Sequence, residues 1–129
     1  MANKIVVKLK DNTLLKGQTN NFFPSKTFFH LQQINGEQTE VVIEDLKAIF
    51  FVKDYDGDKN RKKTYTDKVA GGGRKIRVKF LDGETVVGYT TGYSSDRSGF
   101  YMVPADLKGN NERIFVVKSA TEEIEMLKI

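Results

Sequence analysis

Fifteen residues near the amino terminus, Ile5 to Thr19 (IVVKLKDNTLLKGQT), recur 71 positions later as Ile76 to Thr90 (IRVKFLDGETVVGYT). Six aligned positions are identical: Ile5/Ile76, Val7/Val78, Lys8/Lys79, Asp11/Asp82, Gly17/Gly88 and Thr19/Thr90. Unrelated stretches of that length share about one identity at average residue usage. The matches fall where a strand–turn–strand unit needs them, with apolar residues at every second place, Asp opening the turn and Gly in the return strand. The chain is therefore read as an internal duplication of a β-hairpin, with two like halves.

Each half continues in the same order. In the first, Asp11-Asn12-Thr13 turns the chain, Pro24 interrupts the run because it has no N–H for a central ladder, and Thr27 to Leu31 resumes as a strand. Asn35-Gly36 is the strongest hairpin signal and is expected to form a type I′ turn. Glu44 to Lys47 is too short for an α-helix and reads as one helical turn before a strand at Ala48 to Val52. In the second half Asp82-Gly83 makes the first turn, and one residue is inserted before Phe100-Tyr101, matched to Phe28-Phe29. Pro104 to Glu112 is a longer loop, and Arg113 to Val117 answers Glu40 to Ile43. SATEEIEML could cap a helix through Ser119 and Glu122. Its counterpart EDLKAIFFV is rich in β-branched and aromatic residues, so a strand near Glu123 to Leu127 is expected.

The order of five short strands with one helical turn before the last resembles small SH3-like and Sm-like barrels, and the hairpin with its late glycine, Gly17 or Gly88, resembles the Sm family. The resemblance implies two five-stranded barrels related by pseudo-symmetry, residues 3–55 and 76–129, joined by a basic, glycine-containing connector at 56–75. DLKAIFFVKDYDGD (45–58) and GFYMVPADLKGNNERIFVV (99–117) are similar to an uncharacterised family of small bacterial proteins, a resemblance that implies no activity.

Charge separates the connector from the halves. Residues 1–52 carry six Lys/Arg against five Asp/Glu, residues 76–129 seven against eight, and residues 53–75 eight against four. The net charge of +4 is thus a property of the connector. The absence of cysteine removes disulfides and thiolate chemistry. The start MANKIVV has neither the charged nor the apolar part of a signal peptide, and no apolar run reaches the roughly 20 residues of a membrane span, so a cytosolic location and no membrane partner are expected.

No motif selects an active site. His30, the single histidine, has no second ligand and reads as a strand residue with a structural hydrogen bond. Asp54, Asp56 and Asp58 match the first ligands of a calcium loop, but Lys59 and Tyr65 stand where its Gly and bidentate Glu belong, so a solvated acidic turn is expected. Gly71-Gly72-Gly73 precedes a strand, not the helix of a phosphate loop, and reads as a linker. Lys59, Arg61, Lys62, Lys63, Arg74 and Lys75, with Tyr65 for stacking, are the candidate nucleic-acid contacts. Asp96-Arg97-Ser98-Gly99 fits poorly the Asp/Asn-x-Ser-x-x-Gly pattern of cyclic-dinucleotide-binding PilZ domains, its glycine falling one place early. The residues thus point to a non-enzymatic binding or scaffolding module without a cofactor. A protein partner met at exposed sheet edges is the leading expectation, nucleic acid on the connector the alternative, and cyclic-dinucleotide binding a third. The structural turn positions are Asp11, Gly17, Asn35, Gly36, Asp82, Gly83 and Gly88.

Overall fold

A computed structural model describes residues 3–57 and 61–127. Ten strands follow in order: β1 (Ile5–Leu9), β2 (Leu14–Gln18), β3 (Phe28–Gln33), β4 (Gln38–Val42), β5 (Leu46–Val52), β6 (Arg74–Phe80), β7 (Thr85–Thr90), β8 (Gly99–Pro104), β9 (Asn111–Val117) and β10 (Thr121–Met126). Single 3-10 turns, Ile43–Asp45 and Lys118–Ala120, precede β5 and β10. The protein is all-β, and the segment 121–126 is a strand, paired with β6.

The expectation of two separate barrels is corrected. All ten strands form one open antiparallel sheet in the order β10-β6-β7-β8-β9-β5-β1-β2-β3-β4. Among the described residues no ladder returns β4 to β5 or β9 to β10; β5 pairs instead with β9 of the other half. The two halves do repeat one order, β5-β1-β2-β3-β4 and β10-β6-β7-β8-β9.

The reason for the fusion lies in β5. All seven of its residues, LKAIFFV, are buried, whereas a strand with one wet face alternates. Ala48, Phe50 and Val52 enter the core of the second half, while Leu46, Ile49 and Phe51 enter the core of the first. β9 does the converse with Ile114 and Val116 on one side and Phe115 and Val117 on the other. A half released from its neighbour would expose these apolar faces to water. Both ends of each five-strand run meet across one core, so each half of the sheet is strongly coiled.

Register shows where the halves correspond. Phe29 pairs with Val41 and Phe100 with Val116. Thr19 donates to the His30 carbonyl and Thr90 to that of Tyr101. The offset therefore stays at 71 through β3 and β8, without the residue expected before Phe100. The extra length sits in the 105–110 loop, after which Glu40–Val42 answer Phe115–Val117. The first-strand hairpins and the Asn35-Gly36 hairpin share one turn. In each, an i to i+3 bond ends on a left-handed residue, Asn12 (φ 74°), Gly36 (φ 93°) or Gly83 (φ 92°). Asn35 itself is not left-handed, so this is a three-residue loop with a glycine bulge, not a type I′ turn. The side chains of Asp11, Asn35 and Asp82 each accept the N–H two residues on, at 2.9–3.0 Å.

Gly17 and Gly88 occupy equivalent bends. A Cβ on Gly17 would lie 2.0 Å from the Gln32 carbonyl oxygen and one on Gly88 2.2 Å from that of Val103. The constraint is thus close approach of two backbones, not a special φ. Gly17→Ala and Gly88→Ala should each cost about 3 kcal/mol in chemical denaturation, the upper range for overpacking, because a carbonyl in a ladder cannot yield cheaply. A loss under about 0.5 kcal/mol at either position would contradict the equivalence.

A lysine fastens the joint. Lys47 is the bulged residue of β5, skipped where Lys8 pairs with Ala48 and Leu9 with Leu46. Its side chain is buried, lies 4.6 Å from the centroid of the Phe80 ring, and donates to Asp82 at 2.7 Å and to Glu84. Burial disfavours its charge, but the hydrogen bonds it donates to these carboxylates outweigh that and raise its pKa. The Lys47 hydrogen bond lowers that of Asp82. Lys47→Met should destabilise the protein by about 2 kcal/mol, less than for a fully buried pair because the carboxylates keep some water. Since the folded pKa of Asp82 is depressed, its share of stability is present above the unfolded value of 3.8 and lost as pH falls through the lower folded one. The difference between wild type and variant should therefore shrink in acid, measured by urea titrations across that range.

Candidate functional site

One side of the joint opens into a cleft of about 450 Å³ walled by Phe22, Phe23, Phe51 and Tyr101, with Asn3, Asn20 and Arg113 at its polar margin. The β5–β9 register sets Phe51 opposite Arg113. The guanidinium carbon lies 4.2 Å from the Phe51 ring centroid and 5.1 Å from that of Tyr101. A planar cation is thereby held on two ring faces. Among the described residues no carboxylate lies within 4 Å of it, and a second depression of about 400 Å³ continues past it along Val52 and Val103.

The loop between β2 and β3 forms the opposite wall. Phe22 meets Phe29 and Phe115 edge-on, each at 5.1 Å, which anchors the loop in the first core. Asn21 accepts the His30 N–H at 2.9 Å and donates to its Nδ1 at 3.0 Å, which places the ring proton on Nε2. His30 therefore has a structural bond, and it holds the loop. Phe23, next along, is half exposed at the mouth of the cleft. Burial raises the Tyr101 hydroxyl, with Arg113 working the other way, so it remains a neutral hydrogen-bonding group at neutral pH.

The connector candidates do not gather on one surface. Lys59 lies outside the described residues. Arg61 forms a salt bridge with Asp106, which is 4% exposed, and holds that carboxyl below the ordinary range. Lys62 is exposed, while Lys63 lies 3.7 Å from Glu84. Tyr65 is packed against the second core, and its hydroxyl is raised chiefly by burial, leaving the ring unavailable as an open stacking platform. Arg74 and Lys75 belong to β6, opposite Thr90 and Tyr89. The Asp67 N–H donates to the Ala105 carbonyl and its carboxylate accepts from Leu107, so the connector docks on the 105–110 loop without forming a strand. Two of the three linker glycines are packed: a Cβ on Gly72 would lie 2.8 Å from that of Tyr89, and one on Gly73 2.4 Å from the Thr90 carbonyl oxygen.

Other motifs resolve into local structure. Asp54 accepts from Asp56 N–H within its own turn and is tied to Asn110; Asp58 lies outside the described residues. Asp96 is lowered by the Ser94 hydroxyl, and Gly99 presses against the Phe115 ring. The cleft residues Phe22, Tyr101 and Arg113 escaped sequence reasoning. Only the adjacent aromatic pair Phe22-Phe23 beside a proline hinted at them.

The fold and cleft define an all-β protein with a half-aromatic, cationic groove at the seam of two similarly ordered halves. The chain belongs to DUF6982, a family of unknown function, whose model matches residues 1–128. No curated protein and no solved structure matches it. Among the described residues no helix is long and apolar enough to cross a membrane.

Asp106→Asn should free the connector while keeping side-chain shape. Trypsin should then cleave at Arg61 to Lys63 several-fold faster, with a stability loss of about 1–2 kcal/mol from the broken charged hydrogen bond. Unchanged cleavage would mean that other contacts hold the segment.

Proposed function

We propose that the chain is a non-enzymatic binding module that takes a segment of a protein partner into the cleft beside Arg113. The observation that carries this reading is the guanidinium stacked on Phe51 and Tyr101 with no carboxylate within 4 Å among the described residues. Ring stacking fixes the cation and leaves its N–H groups for a bidentate acceptor. Aromatic and arginine side chains around a partly desolvated pocket are the composition of interaction hot spots. An acidic side chain flanked by apolar residues suits both the cation and the Phe22–Phe23 wall. The polar groups of the cleft are amides, a hydroxyl, a guanidinium and a neutral phenol, which orient a ligand better than they move protons.

The test compares quantitative capture of partners from the native host by wild type, Arg113→Glu, Phe23→Ser and the connector variant Arg61→Ser/Lys62→Ser/Lys63→Ser. Capture should fall at least about tenfold for the two cleft variants, survive nuclease, and persist in the connector variant. Loss on nuclease treatment and in the connector variant alone would favour nucleic acid. Binding would then weaken by about two orders of magnitude between 50 and 200 mM salt if some four phosphates are neutralised.

A further inference from the structure

The two strands at the ends of the sheet, β4 and β10, are the structural counterparts of the two strands that meet in its middle. β4 corresponds to β9 and β10 to β5, by the same ladders and the same bulge: Glu122 is skipped in β10 as Lys47 is in β5. The central joint pairs Ala48 with Val116, Ile49 with Phe115 and Phe50 with Ile114. A second copy docked head to tail would pair Glu123 with Val41, Ile124 with Glu40 and Glu125 with Thr39. The backbone is thus suited to repeat the joint from copy to copy, since a heterologous interface makes a ring where its rotation closes and an open filament where it does not.

We propose that β4 and β10 are the two unpaired halves of such a joint, and that side-chain charge keeps a second copy of this chain off them. The evidence is the change of chemistry at equivalent positions. On the face that β1 and β5 turn to the second half stand Val6, Ala48 and Phe50, all packed in its core. The counterparts on β6 and β10 are Arg77, Glu123 and Glu125, and Arg77 bonds both carboxylates. On the other strand Ile114 and Phe115, both buried, become Thr39 and Glu40. The ionic latch is reversed as well. Lys47 reaches Asp82, but its counterpart Glu122 would face Asp11, the counterpart of Asp82. Only Lys8 with Asp82 keeps a favourable equivalent, Lys79 with Asp11.

Burying the Arg77, Glu123 and Glu125 cluster against the Val41 side of the first core would set two carboxylates on one guanidinium, leaving a net negative charge in an apolar site. Charged residues turned inward on an edge strand are a recognised means of preventing edge-to-edge pairing. The same substitutions explain why the halves diverge at these positions while agreeing at Ile5/Ile76 and Val7/Val78, which face their own cores.

The test restores the joint chemistry to one edge at a time in the full chain. One protein carries Arg77→Val, Glu122→Lys, Glu123→Ala and Glu125→Phe; the other carries Thr39→Ile and Glu40→Phe. Sedimentation velocity from micromolar to millimolar concentration should show wild type as a single 14.6 kDa species. The mixture of the two variants should form a dimer at least about tenfold tighter than either variant with itself. The chain has no cysteine, so a cysteine at position 41 of one variant and at 123 of the other should cross-link and report the register. A milder variant, Arg77→Gln/Glu123→Gln/Glu125→Gln, removes the whole charged cluster with little change of volume and should weakly self-associate even if the bulkier changes disturb folding. Val41→Cys and Glu123→Cys, each placed alone in the otherwise unchanged chain, that cross-link on mixing as readily as the restored pair would overturn the proposal. So would folded variants, checked by cooperative melting, that stay monomeric when mixed.

Discussion

The structure depends on the pairing of β5 with β9. Two strands, β5 along its whole length and β9 over residues 114–117, are buried on both faces, lie side by side at the centre of the sheet and supply apolar side chains to two cores at once. Hydrophobic burial acts on each face separately, so every second residue of β5 stabilises a different half. The halves share their most buried strands and cannot be described as two domains with an interface between them. Lys47 then fixes the angle of this seam from one end, and the Arg113 stack closes it at the other.

The seam also generates the candidate site. Because β9 continues the sheet beyond β5, Arg113 is brought over Phe51 of the first half and Tyr101 of the second, a placement neither half achieves alone. The counterpart of Arg113 in the first half is Gln38, at the free edge of the sheet. The groove is therefore a property of joining the halves. The described residues of the connector from Arg61 onward are fastened to Asp106 and the 105–110 loop, and none of them lines this groove.

Much of the strand order was legible in the repeated hairpin, because alternation, a turn-opening Asp and a close-approach glycine each have a local cause. The turn at Asn35-Gly36 was legible in position but not in type, since the loop includes Ile34 and only Gly36 takes the left-handed angle. The β10 strand was legible only through its counterpart, as its own residues fit a helix equally well. The fusion into one sheet was missed, yet its mark is present: LKAIFFV and IFVV are apolar without alternation, the pattern of strands buried on both faces. The insertion was placed too early because the paired aromatics Phe28-Phe29 and Phe100-Tyr101 invite alignment, whereas the ladders match Phe29 with Phe100. The Arg113 cleft was hidden because its residues come from β5, β8, β9 and the β2–β3 loop, far apart in the chain.

That the halves are one cooperative unit is tested most directly by native-state hydrogen exchange. Amides of Val7 and Leu31 in the first core and of Val78 and Met102 in the second should exchange with the same free energy and the same denaturant dependence, equal to global unfolding. Two distinct values, with one half opening while the other stays protected, would show that β5 and β9 merely touch, and would contradict the account.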